Sequence, residues 1–156
     1  MRKIALLFGL VLAMAATLPA ASEQSDRQRL VGVWRLVSIT EDGKVNPLRG
    51  GKPTGFIFYT ASGEMGAMIQ PERAPISMAG KQPSGPEAQA ALKGFTAYFG
   101  TYTIDEKTKI VAHHRKASVQ PGYEETVYRR YRFETPDRVV LGNPKGKSAL
   151  TWERVK

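Results

Sequence analysis

The feature that most constrains this chain is its punctuation. Beyond residue 29, short runs rich in β-branched and aromatic residues alternate with turn signals, and a single stretch has helical periodicity. The strand candidates are residues 30–40, 56–59, 64–69, 101–105, 110–119, 125–134, 138–141 and 149–155. Asp42-Gly43, Asn46-Pro47, Ala61-Ser62-Gly63, Pro136-Asp137 and Asn143-Pro144 with Gly146 separate them. About eight antiparallel strands in sequential order favour an up-and-down barrel, because closure removes the exposed edges of an open sheet. A barrel of that size encloses room for one small ligand. A flattened sheet wrapped on the helix is the alternative. The expected class is therefore mainly β, with one helix packed on the barrel or plugging it. That helix opens at Pro86, with Ser84 or Gly85 as its cap and Glu87 in its first turn. Ala88, Ala91, Leu92, Phe95 and Phe99 recur at helical spacing and form its apolar face. Residues 70–85, with Pro71, Pro75, Gly80 and Pro83, read as a long loop, and residues 23–29 read as a frayed polar lead-in.

The N-terminus is laid out as a secretory signal peptide. Arg2 and Lys3 precede an apolar run over residues 4–16, and Ala20-Ala21-Ser22 offers small residues for cleavage before Glu23. The apolar run is short for a membrane span. Residues 1–22 are thus expected to be removed, leaving one domain over residues 23–156 in the periplasm or the extracellular medium, with no stable membrane insertion. The chain has no cysteine, which excludes disulfides and thiolate chemistry. Its formal charge of +9 is spread along the sequence rather than blocked, and does not by itself imply nucleic acid.

Several residues carry candidate chemistry. His113 and His114 are adjacent, so a strand points them to opposite faces and they cannot share one metal. With no other histidine and no clustered carboxylates, no metal or other cofactor is expected. If the turn between residues 105 and 110 spans 106–109, Tyr102 faces His113 and Ile104 faces Val111, which makes this the inward face. His113 is then either a satisfied core histidine or a ligand contact. In Val127-Tyr128-Arg129-Arg130-Tyr131-Arg132-Phe133, alternation places Val127, Arg129, Tyr131 and Phe133 on the more apolar face. Arg129 then needs a counter-charge, because a lone buried cation is costly. Glu124 or the carboxylate of a ligand could supply it. Arg130 and Arg132 take the solvated face. Met65 and Met68 lie on opposite faces of their strand, and Met65 either lines a cavity or packs in the core.

Gly32 and Trp34 share a face at the start of the first strand, and Trp152 shares one with Leu150 and Arg154 on the last. With Phe58-Tyr59-Thr60, Gly63, Met65, Ala97-Tyr98-Phe99-Gly100-Thr101-Tyr102, His113-His114 and Arg129, these residues resemble the bacterial lipocalin-like domain family. The resemblance covers nearly all of residues 23–156. It implies an antiparallel barrel with an internal cavity, in which Arg154 stacks on Trp34 to close one end. In such domains an acidic residue often follows the double histidine; here Arg115 and Lys116 stand there. Gly32, Trp34, Trp152 and Arg154 are thereby expected to be structural. The expected function is an exported protein that binds a small hydrophobic molecule, with or without a carboxylate, through Arg129, His113, Tyr102, Tyr131 and Met65. An isomerase- or cyclase-type enzyme using His113 and Arg129 is the alternative. The sequence carries no sign of an oligomeric state.

Overall fold

The structure, a computed structural model, describes residues 24–156. The expected signal peptide lies outside the described residues. A short helix, α1 (Asp26–Leu30), leads into β1 (Gly32–Glu41), β2 (Lys44–Val45), β3 (Thr54–Tyr59) and β4 (Glu64–Gln70). Helix α2 (Gly85–Leu92) precedes β5 (Thr96–Asp105), β6 (Ile110–Ser118), β7 (Thr126–Thr135), β8 (Arg138–Gly142) and β9 (Ser148–Arg154). Every pairing is antiparallel between neighbours in sequence, except that β1 skips the short β2 to pair with β3 and also pairs with β9. The β1–β9 pairing closes eight strands into a barrel, and β2 extends β1 by a two-residue ribbon at the rim.

Alternation fills the inside. Met65 and Ala67 are buried while Met68 is exposed. Tyr102 pairs with His113 and Ile104 with Val111, the register set by the four-residue turn over 106–109. One strand changes face partway. Along β1 the buried positions are Trp34, Leu36 and then Ile39, because a bulge between Leu36 and Ser38 shifts the pairing with β9. Ile39, rather than Ser38, therefore completes the inward face.

The two helices meet the barrel differently. Ser84 caps α2 and exchanges side-chain and backbone hydrogen bonds with Glu87, the reciprocal arrangement that starts a helix firmly. Yet α2 stops at Leu92, Phe99 belongs to β5 and is exposed, and no α2 residue is buried. Its last turn is held from outside, where Arg73 donates to the carbonyls of Ala90, Ala91 and Lys93. So α2 does not plug the barrel. The polar lead-in does instead: Ser25 caps α1 with Gln28 as its reciprocal partner, and α1 buries Leu30 completely.

Candidate ligand-binding site

At the α1 end the interior is filled. Arg154 stacks on the Trp34 ring, its guanidinium carbon 4.2 Å from the ring centroid. It donates to the carbonyls of Val31 at 2.8 Å and Arg29 at 2.6 Å, and its Nε lies 3.4 Å from an Asp137 oxygen. Trp34 Nε1 donates to the Leu30 carbonyl at 2.8 Å. Gly32 has φ +136°, and a Cβ there would stand 2.6 Å from Arg154 Nη1. The glycine is needed both for its backbone conformation and for the close approach of the guanidinium. Asp26 accepts from Tyr131 Oη at 2.9 Å and from Lys109 at 2.5 Å, and pairs with Arg29 at 3.2 Å. Burial works against the Asp26 carboxylate, but its bonds to Lys109 and Tyr131 outweigh it and hold the pKa below the usual value. Tyr102 donates to the Thr60 carbonyl at 2.8 Å.

At the other end the barrel keeps a cavity of about 230 Å³. Ile57, Ala67, Ile69, Leu141 and Leu150 supply apolar wall, and Tyr98, His113, Arg129 and Trp152 supply polar groups. Its rim carries Glu41, Asn46 and Arg49, with Asn46 donating to the Glu41 carboxylate at 2.9 Å. Arg49 is engaged with the Gly94 carbonyl and with Thr96 Oγ1, which ties the loop after β2 to the turn after α2.

His113 is the centre of the polar cluster. It is buried, with Nε2 2.7 Å from Tyr59 Oη and Nδ1 2.9 Å from Tyr98 Oη. Burial lowers its pKa to about 3, reinforced by the charges of Arg129, Arg115 and His114. The imidazole is thus neutral at ordinary pH. With both nitrogens occupied and so low a pKa, it is poorly placed for general acid–base catalysis. Burial likewise raises the pKa of Tyr59 and of Tyr98, so both phenols keep their protons. Arg129 lies on the same cavity wall, and no hydrogen bond or ion pair engages its guanidinium among the described residues. Glu124, one of its two candidate partners, contributes only a backbone carbonyl, which accepts from Arg115.

The structure therefore gathers two of the five sequence-named contacts, His113 and Arg129, in one cavity. The other three lie outside its lining. Tyr131 and Tyr102 anchor the α1 end through their hydroxyls, and Met65 is packed in the core. Trp152, expected to be structural, is a cavity wall, and its Nε1 is buried without a partner among the described residues. Tyr98, Tyr59 and Arg49 were not singled out for chemistry. The inward parity of Tyr98 with Tyr102 was the available signal, hidden because β5 begins five residues before the expected strand. No group of three or more potential metal ligands occurs among the described residues.

The mouth of a closed antiparallel barrel is a common setting for small-molecule sites. The sequence model of the lipocalin-like domain matches residues 31–155, and the chain belongs to that family. Similar solved structures include two barrels. One is a lipocalin-like protein from Bacteroides uniformis, at 11% identity and TM-score 0.49, covering 81% of this chain and 99% of that one. The other is a redesigned β-barrel, at 12% identity and TM-score 0.43, covering 83% and 95%. No curated protein sequence matches the chain.

Proposed function

We propose that this protein is an exported carrier that seats a small apolar molecule in its barrel cavity, with a carboxylate directed at Arg129. One observation carries the reading. A guanidinium on the cavity wall has no protein partner among the described residues, and a carboxylate satisfies it bidentately. The apolar walls from Ile57, Ala67, Ile69 and Leu141 suit the rest of such a molecule. Export rests on the basic start, apolar run and small residues of the first 22 positions. No described helix is long and apolar enough to cross a membrane.

Native mass spectrometry with a series of carboxylic acids from butyrate to palmitate tests the reading. At least one acid should bind one-to-one, and Arg129→Gln should weaken it at least tenfold. A series in which no acid binds would sink it.

A further inference from the structure

The polar groups of the cavity differ in what they can offer a ligand, and hydrogen-bond accounting decides which. Neutral imidazole has one N–H and one acceptor nitrogen. One of its two tyrosines must therefore donate to it, and the other must accept from it. Tyr59 is buried, and its hydroxyl meets His113 Nε2. If Nε2 carried the proton, the Tyr59 hydroxyl hydrogen would be buried without an acceptor, at a cost of about 1–3 kcal/mol. Tyr98 is less constrained, because it is only partly buried and lines the cavity. The favoured arrangement has Tyr59 donating to Nε2 and Nδ1–H donating to Tyr98. The Tyr98 hydroxyl hydrogen is then left for the cavity.

Two further donors share that wall. Trp152 is 1% exposed, and its Nε1–H has no partner among the described residues. Indole can only donate. Arg129 is also donor-only, and its charge is felt at both Tyr98 and His113. The cavity's one carboxylate, Glu41, is exposed at the rim and already accepts from Asn46. Arg49 is occupied by Gly94 and Thr96.

We infer that Tyr98, Trp152 and Arg129 form an oxyanion seat that only donates hydrogen bonds, with Tyr59 and His113 as positioning residues that turn the Tyr98 hydroxyl toward the ligand. Size narrows the ligand further. The cavity of about 230 Å³ falls below the ~300–1,000 Å³ of drug-sized sites, yet exceeds the ~150 Å³ that accommodates benzene. The ligand class is a compact acid of about one ring, not a long-chain fatty acid. This assignment rests on the carrier reading and specifies its ligand.

Three probes of nearly equal shape separate the two. Benzoate is an anionic acceptor, nitrobenzene a neutral one, and benzamidine a cationic donor. Titration calorimetry of the full chain should find benzoate bound at least tenfold more tightly than nitrobenzene, with no benzamidine bound. Tyr98→Phe, with its fold checked by circular dichroism, should weaken benzoate about tenfold and leave nitrobenzene within twofold. Nitrobenzene binding as tightly as benzoate overturns the seat and leaves the carrier reading standing. Palmitate binding more tightly than benzoate overturns the size class alone. Failure of every acid, palmitate included, overturns the carrier reading and the seat together. Nitrogen-15 spectra of the His113 ring give a readout that needs no ligand. Protonated Nδ1 with bare Nε2 is expected, and protonated Nε2 overturns the positioning role.

Discussion

Two arginines at opposite ends of the barrel meet the interior in opposite ways. Arg154 is saturated: an indole face, two backbone carbonyls and a carboxylate surround it. Arg129 sits on a cavity wall and engages nothing among the described residues. Both are flanked by aromatic groups, yet one holds the protein together and the other is left available. An interior charge contributes to stability only when its hydrogen-bonding capacity is used within the protein. Where it is unused, the cost of its partial burial persists until a ligand offsets it.

Replacement of each arginine puts the contrast to its hardest test. Arg154→Met should lose about 3 kcal/mol in urea unfolding, since it strands two carbonyls and strips the Trp34 face. An equal loss for Arg129→Met would break the comparison. A subtler blow to the same end is Gly32→Ala, expected to cost about 2 kcal/mol from backbone strain and displaced guanidinium. Its folded fraction should bind benzoate as the parent does, because the perturbation sits at the filled end.

The cavity end has its own signature in acid. His113 has a pKa of about 3 when folded, against 6.5 ordinarily. Above about pH 6.5 it is neutral in both states and has no effect. As the pH falls from there toward 3, the unfolded chain takes up a proton that the folded one refuses, so stability is lost. The groups facing it, Tyr59 and Tyr98 as neutral phenols and Arg129, Arg115 and His114 as neighbours, do not relieve this. Urea midpoints across that window should show a slope of up to about 1.4 kcal/mol per pH unit that His113→Gln flattens. Asp26, with its lowered pKa, gives way only at the acid extreme, as pH falls through its own folded value. A slope unchanged in His113→Gln would show that His113 is not its source. The smallest effect is the most pointed. Arg129→Met should change stability by no more than about 0.5 kcal/mol, or raise it slightly, because no internal bond is lost.

Much of this was legible from sequence. Turn chemistry and alternation located eight strands, and the 106–109 turn alone set Tyr102 opposite His113. What escaped depended on partners distant in sequence. Residues 23–29 look featureless because Asp26 finds Lys109 and Tyr131 only in the closed barrel. Tyr131 and Tyr102 look like ligand contacts because their hydroxyls are polar among apolar neighbours, and nothing local reveals that Asp26 and Thr60 take them. The bulge that turns Ile39 inward left no mark that strict alternation could read. For Arg129, alternation chose the face, and only the three-dimensional contacts could show that Glu124 does not reach it.

The pairing of β1 with β9 has a consequence in time. It joins segments from opposite ends of the domain, and the Arg154 to Arg29 contact spans 125 residues of sequence. Neighbouring hairpins can zip as soon as both their strands are present, but the seam cannot. Until the final strand is made, the first strand has an open edge and Trp34 has no cover. Such long-range closure makes folding slow, and it makes the barrel the last thing to form. The barrel stays open until β9 is available, so the seam that completes it also sets when folding can finish.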